Sequence, residues 1–164
     1  MSETVPPIPE GLHSLTPHLV VNDARKAIEF YQTAFGAQVR AMFPMPDGKI
    51  MHAVVVIGDS AMMLNDEFPE MGSPSPATTK ADTCVRLQLY VPDADAVFNA
   101  AVKAGAKVIM PMMDMFWGDR YGRLTDPFGH SWSIATHQKD MTHAEMEEAG
   151  RKAMAEMEKQ REKA

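Results

Sequence analysis

Two short segments of the chain carry polar side chains at matched positions. Thr16 and His18 alternate in the first segment, and Arg86 and Gln88 alternate in the second, 70 residues further along (from 16 to 86 and from 18 to 88). Alternate residues of a β-strand share one face, so each pair is expected on one face of its strand. These groups can hydrogen-bond a small molecule, and a buried guanidinium requires an anion, either a protein carboxylate or a ligand. The pattern predicts a polar cavity with two matched walls.

Further candidates extend this cavity. Tyr90 continues the face of Arg86 and Gln88. Trp117 could cover a pocket or stack on a planar ligand, although a purely structural loop is an equal alternative. Asp119 and Arg120 are neighbours on a predicted strand, so they point to opposite faces and only one of them can enter the cavity. His18 is expected to hydrogen-bond within the cavity; the alternatives are a metal ligand and a buried histidine bonded to backbone.

The elements that must position these residues also occur twice. A strand, an aspartate helix cap, an amphipathic helix and a glycine follow one another at Asp23 to Gly36, and again at Asp93 to Gly105. Three strand patterns follow each helix. The sequence therefore predicts an α+β fold of two tandem βαβββ modules, whose mixed, curved sheets form a cavity.

The expected organisation has five segments. Thr142 and Glu145 form a capping box at the start of a final amphipathic helix. The segments are a flexible arm (1–12), module one (13–66), a Pro-rich linker (67–82), module two (83–138) and the C-terminal helix (139–164).

Composition excludes several functional classes. The 164 residues include 16 Lys and Arg against 22 Asp and Glu, giving a net charge of −6, which argues against a nucleic-acid surface. No apolar run is long enough to span a membrane, and no secretory signal is visible at the N-terminus. The single cysteine, Cys84, is consistent with a reducing compartment. We expect a cytoplasmic protein.

Longer motifs resemble a known superfamily. They are Ala27–Tyr31, Trp117–Arg123, Asp126–His130 and Trp132–His137. Together with the tandem βαβββ pattern, they resemble the vicinal oxygen chelate superfamily of glyoxalases, bleomycin-resistance proteins and extradiol dioxygenases, and its PhnB-like branch most closely. The resemblance covers residues 15–137 and implies a small, homodimeric protein.

The same resemblance implies where a metal would bind. Metal-dependent members take two His or Glu ligands from each module. Carried over by position, the ligand places fall at Thr16, Met63 or Leu64, Arg86 and Ser133. Hydroxyl groups bind divalent transition metals poorly and a guanidinium repels them. No cofactor is therefore expected; the alternative is a divalent metal at a displaced site that uses His18 or Gln88.

These observations favour a small-molecule binding protein of the bleomycin-resistance type. The alternative is a metal-dependent lyase or dioxygenase, and a weaker third hypothesis is a structural dimer whose tail helix recruits a partner. The cavity could close within one chain or across a homodimer. The expected ligand-binding residues are Thr16, His18, Arg86, Gln88, Tyr90, Trp117, Arg120 and Ser133.

Overall fold

The computed structural model describes residues 5–81 and 83–161 and confirms the two βαβββ units. The first comprises β1 (His18–Val21), α1 (Ala24–Phe35), β2 (Gln38–Pro44), β3 (Ile50–Ile57) and β4 (Ser60–Asp66). The second comprises β5 (Arg86–Tyr90), α3 (Ala94–Lys103), β6 (Lys107–Asp114), β7 (Asp119–Thr125) and β8 (Ser131–His137). A 3-10 turn (Pro69–Met71) and the short α2 (Pro76–Thr79) connect the units, and α4 (His143–Arg161) follows them.

Each unit forms its own four-stranded mixed sheet. The strand orders are β1-β4-β3-β2 in sheet 1 and β5-β8-β7-β6 in sheet 2. In both sheets the first strand runs parallel to the last strand of its unit and the other pairs are antiparallel. The equivalence of the two orders confirms that the sequence repeat is a structural repeat.

Aspartate caps start the two repeated helices as predicted. The Asp23 carboxylate accepts the backbone N–H of Lys26 at 3.1 Å, and Asp93 accepts that of Ala96 at 2.9 Å. Gly36 ends α1 with a φ of 68°, a conformation that favours glycine. Local sequence signals therefore fix where both helices begin and where the first one turns back to its sheet.

The first strand is shorter than its hydrophobic pattern suggests. The pattern extends from Leu15, but β1 begins at His18. Pro17 has no N–H to donate to a strand ladder, and Thr16 instead donates its hydroxyl to the carbonyl of His13 at 2.9 Å. Thr16 thus lies in a turn before the strand.

The C-terminal helix begins with the predicted capping box. Glu145 Oε2 accepts the Thr142 N–H at 2.8 Å, and Thr142 Oγ1 accepts the Glu145 N–H at 3.3 Å. Gly150 of α4 lies against the Phe116 ring, and a Cβ at this position would come within 3.2 Å of it. Within the described ranges, neither α4 nor any other helix is long and apolar enough to cross a membrane.

One hydrophobic core joins the two units. α1 packs on sheet 1, α3 packs on sheet 2, and the two helices pack on each other. Across this junction, the ring centroids of Phe35 and Trp132 lie 4.7 Å apart. Trp132 is buried beneath the helices. The helix-covered faces of both sheets contribute to the same core.

A buried carboxylate lies at this junction. Asp126, in the turn between β7 and β8, accepts the Tyr31 hydroxyl at 2.7 Å and Trp132 Nε1 at 2.9 Å. It also accepts the backbone N–H groups of Phe128 and His130, both at 2.9 Å. Burial and the Asp126 carboxylate raise the pKa of Tyr31 well above its ordinary value, so the phenol remains a donor.

Removing the Tyr31 hydroxyl should destabilise the fold measurably. In Tyr31→Phe we expect the free energy of unfolding to fall by about 1.5–3 kcal/mol, the range for a hydrogen bond to a charged group. Urea denaturation followed by circular dichroism measures the change. Tyr121→Phe is the matched control, because that hydroxyl bonds no described residue, and should change stability by less than about 0.5 kcal/mol. Equal stabilities for the two variants would contradict the role given to Asp126.

Candidate ligand-binding site

Each sheet has one face covered by its helix and one face, here named the open face, that points away from the shared core. Strand register assigns residues to these faces, because directly paired residues share a face. Trp132 pairs with Leu87 and Leu124 on the covered face of sheet 2. The open face of sheet 2 therefore carries Arg86, Gln88, Tyr90, Asp119, Tyr121, Arg123, Ser133 and His137.

Asp119 is the centre of a hydrogen-bond network on this face. The residue is only 3% exposed. Its Oδ2 accepts the Tyr90 hydroxyl at 2.8 Å and Trp117 Nε1 at 3.0 Å, and its Oδ1 lies 2.8 Å from His137 Nδ1. Three side chains from β5, β8 and the turn before β7 are thereby held in place. Trp117 also contacts Tyr121 edge-on at 5.5 Å between ring centroids.

The network connects to the tail helix through an edge-on contact between two aromatic rings. The Phe116 ring meets Trp117 edge-on, with centroids 5.0 Å apart, and Gly150 of α4 covers the other side of Phe116. The Trp117 loop is thus fixed by α4 on one side and by Asp119 on the other. This arrangement supports a structural role for the loop while leaving Trp117 at the edge of the open face.

The charges of the network reinforce one another. Burial raises the pKa of Asp119, but hydrogen bonds from His137, Tyr90 and Trp117 outweigh burial and leave the pKa below its usual value. Hydrogen bonds to Asp140 and Asp119 raise the pKa of His137. Both nitrogens of His137 face carboxylate oxygens, at 2.8 and 2.9 Å, which favours the imidazolium. The hydrogen bond to Asp119 also raises the pKa of Tyr90.

A second polar row lies in the middle of the same face. Ser133 on β8 is directly paired with Gln88 on β5 and with Arg123 on β7. The Ser133 hydroxyl donates to Gln88 Oε1, which leaves the Gln88 amide nitrogen as a donor. Arg86 lies two residues from Gln88 along β5. The structure thus brings Arg86, Gln88, Tyr90 and Ser133 together on one face.

Arg120 does not join this group. It lies on the helix-covered side, where its guanidinium forms a two-pronged ion pair with Asp95 of α3, both contacts at 2.8 Å, and a longer contact with Asp114 at 3.4 Å. The pKa of Arg120 is raised, first by its hydrogen bond to Asp95. The prediction that Arg120 lines the cavity is therefore wrong. Neighbouring residues of a strand point to opposite faces, and here Asp119 is the one on the open face.

The open face of sheet 1 is aromatic. His18 and His52 meet edge-on at 5.5 Å between centroids, and Phe43 stacks beside His52 at 6.3 Å. His18 Nε2 also lies 2.6 Å from Asn65 Oδ1. His18 therefore lies on an open face, but on a different sheet from Arg86 and Gln88, and it is not among the residues that line the cavity between the two units. Thr16 precedes this face and is engaged in its local turn.

A cavity of about 920 Å³ lies between the two units. One wall is the outer edge of β5 with Arg86–Pro92, and the other is the β3–β4 turn with Ile57–Met62. Phe35 and Trp132 lie among its lining residues. The cavity reaches Arg86, Gln88 and Tyr90 from the side, so part of the candidate site is already shaped within one chain.

The side chains at the positions to which the resemblance assigns the family's metal ligands do not fit a transition metal. They provide a hydroxyl at Thr16, an apolar group at Met63 or Leu64, a guanidinium at Arg86 and a hydroxyl at Ser133. Across residues 5–81 and 83–161, no group of three or more His, Cys, Asp or Glu is arranged to hold a metal ion. His18 and Gln88, the displaced candidates, lie on separate sheets with existing side-chain partners.

Sequence reasoning missed Arg123 and His137 as members of the open face. The signal was available, because Asp119, Tyr121 and Arg123 alternate on β7, and Ser133 and His137 have the same parity on β8. What the pattern alone lacks is the pairing register that puts Arg123 beside Ser133.

Comparison with known proteins agrees with this architecture. The model of the Glyoxalase/Bleomycin resistance protein/Dioxygenase superfamily matches residues 11–134, about three quarters of the chain. The chain belongs to this superfamily. An uncharacterised protein of Mycobacterium tuberculosis is 44% identical over 138 residues, covering 83% of this chain and 81% of that protein.

Two solved structures extend the comparison. The crystal structure of protein PA1353 from Pseudomonas aeruginosa has 29% identity and a TM-score of 0.64, covering 77% of this chain and 99% of that one. A PhnB protein from Bacillus cereus has 18% identity and a TM-score of 0.59, covering 76% and 99%. At 18% identity the likeness shows the fold alone, and that fold is the one predicted from the repeat.

The titration of His137 is open to a direct test. Its raised pKa means that its contribution to stability is full below about pH 6.5, the ordinary value, and is lost as pH rises through the folded-state pKa. The lowered pKa of Asp119 gives a contribution present above about pH 3.8 and lost as pH falls through its folded-state pKa. The Asp119–His137 pair should therefore stabilise the fold most between these limits.

Accordingly, His137→Gln should lower the free energy of unfolding more at about pH 5.5 than at about pH 9. Urea denaturation at both pH values measures this, and NMR titration of His137 should give a pKa above 6.5 that falls in Asp140→Asn. His13→Gln, an exposed substitution, serves as control. A His137 pKa below the ordinary value would contradict the network.

Proposed function

We propose that the protein binds a small organic molecule on the open face of sheet 2. The observation that carries this proposal is the convergence of Arg86, Gln88, Tyr90, Arg123 and Ser133 on one sheet face next to a cavity. Such a face is more polar than a structural core requires, and its tyrosine, glutamine and arginine groups are suited to orient a ligand. Trp117 and Tyr121 add aromatic surface at its edge.

The Asp119 network supports this assignment. A binding site needs side chains held in one geometry before the ligand arrives, because ordering them on binding costs affinity. Tyr90 and Trp117 are each fixed by a hydrogen bond to the same buried carboxylate. Asp119 therefore preorganises the proposed site, although it need not touch the ligand itself.

A second copy of the chain completes the site in our proposal. The open faces of both sheets are uncovered in a single chain: Phe43 on sheet 1 and Tyr90 on sheet 2 are each 58% exposed. Large apolar residues on a sheet face are commonly buried by another layer. Because the two modules of one chain already share a core through their helices, we place sheet 1 of one copy over sheet 2 of another.

The proposed activity is binding without a metal. The donor set at the ligand positions implied by the resemblance is unsuited to a divalent cation, and these side chains therefore do not support the chemistry that such a cation supplies, polarisation of an oxygen or activation of water. The displaced-metal alternative requires His18 and Gln88 to share an ion, and no observation favours it over their present hydrogen bonds.

Binding should be blocked by filling the open face. In Gln88→Trp we expect compounds that bind the wild-type protein in a calorimetric or thermal-shift screen to lose most of their affinity, because the indole occupies their space. Gln32→Trp, on the exposed side of α1, is the matched control and should leave affinity unchanged. Equal loss in both variants would contradict the location of the site, and a full equivalent of zinc, iron or manganese in elemental analysis would contradict a metal-free site.

If the proposed dimer forms, a charged substitution on the open face of sheet 1 should disrupt it. The wild-type chain should have the mass of a dimer in native mass spectrometry, and Phe43→Glu should shift it to the monomer by burying a charge at the interface. Met71→Glu is the control: Met71 is 79% exposed in the linker, and this variant should stay dimeric. A wild-type monomer would contradict the proposed dimer.

A further inference from the structure

We propose that the bound molecule is an organic anion, such as a carboxylate, phosphonate or sulfonate, held by Arg123 and Arg86 on the open face of sheet 2. The inference rests on the proposed function and names its ligand class. It is based on a difference in ion pairing between the arginines on the two faces of this sheet. Arg120 is saturated by carboxylates on the covered side, whereas Arg123 and Arg86 form no ion pair with a described carboxylate.

Arg123 has an unmet requirement for an acceptor. The residue is half-buried in the middle of the face, and its Nε atom is buried without a hydrogen-bond partner in the described structure. A buried donor that lacks an acceptor is unfavourable, and a charged donor more so. An oxyanion of a ligand would provide the missing acceptor, and the planar guanidinium suits two-point binding of such a group.

Arg86 and Gln88 lie within reach of the same position. Ser133 lies between Arg123 and Gln88 in one row across the sheet, and Arg86 is one position along from that row on the same face. From strand spacing and rise, the Cα atoms of Arg86 and Arg123 are roughly 12 Å apart. Side chains of this length can approach one ligand from two sides, with the free Gln88 amide between them.

Negative charge is nearly absent from both open faces. By register, Asp119 is the one carboxylate on the open faces of β1–β8, strands that the structure describes in full, and its two oxygens already accept Tyr90, Trp117 and His137. Asp140, which follows β8, is paired with His137 at the edge of this face. The whole chain carries a net charge of −6. A locally basic face on an acidic protein is the arrangement expected for selective binding of an anion.

The face proposed to cover this site contributes no repulsion. The open face of sheet 1 presents His18, His52 and Phe43, whose rings form a row. Imidazole can donate to an oxyanion, and the phenyl ring can cover an apolar or planar part of the molecule. The complete site would thus take an anionic group on sheet 2 and an apolar portion against sheet 1.

A pair of fluorescent probes tests the charge requirement. Anilinonaphthalene sulfonate is anionic, and N-phenylnaphthylamine has the same rings without the sulfonate. With the full-length protein we expect the sulfonate to bind about tenfold or more tightly than the neutral probe, and rising salt to reduce that preference. Arg123→Gln and Arg86→Gln should each weaken sulfonate binding about tenfold and change neutral-probe binding by less than about twofold.

Arg151→Gln on exposed α4 is the matched control and should leave both probes unaffected. Circular dichroism checks whether Arg123→Gln folds. If Arg123→Gln does not fold, Arg86→Gln tests the proposal, because Arg86 is exposed. Equal affinity for the two probes, or no effect of either arginine substitution, would overturn the anion proposal and leave the binding function in place. Failure of the sulfonate to bind would also overturn it, and the compound screen with Gln88→Trp then decides the binding function separately.

Discussion

Hydrogen bonds to one buried carboxylate link the two modules within their shared core. Asp126 lies in the turn between β7 and β8 but accepts the hydroxyl of Tyr31 from the helix of the other module. The same carboxylate binds Trp132 and two backbone N–H groups of its own turn. This contact and the packing of α1 on α3 hold α1 against the second module, so the helix-covered faces share one core and both open faces point away from it. The location of the candidate site follows from that constraint.

Much of this architecture can be predicted from the sequence because the repeated elements are marked by short sequence motifs. Aspartate caps, a glycine at the first helix end and the alternation of Arg86, Gln88 and Tyr90 each depend on neighbours in sequence. The faces of β7 could not be assigned in the same way. Whether Asp119 or Arg120 joins the open face depends on the register of β7 on β8, in which Leu124 pairs with Trp132 and Asp119 with His137, and that register is set by the β7–β8 turn. Likewise, the hydrophobic pattern from Leu15 did not reveal that Pro17 delays the start of β1.

The two modules share a fold but differ in surface chemistry. Sheet 1 presents a row of His18, His52 and Phe43, whereas sheet 2 presents guanidinium, amide and hydroxyl groups. The positions to which the resemblance assigns the superfamily's metal ligands are Thr16, Met63 or Leu64, Arg86 and Ser133 in this chain. A scaffold that positions ligands for a cation can equally position groups that bind an organic molecule directly. Membership of the superfamily therefore does not by itself determine the chemistry of this site.

The contact between Gly150 and Phe116 has a consequence for the open face. A Cβ at residue 150 would come within 3.2 Å of the Phe116 ring, which would have to shift slightly. That ring touches Trp117, and Trp117 is bonded to the carboxylate that also orients Tyr90. A substitution in the tail helix can thus shift the Trp117 loop at the edge of the open face while every residue on that face keeps its identity.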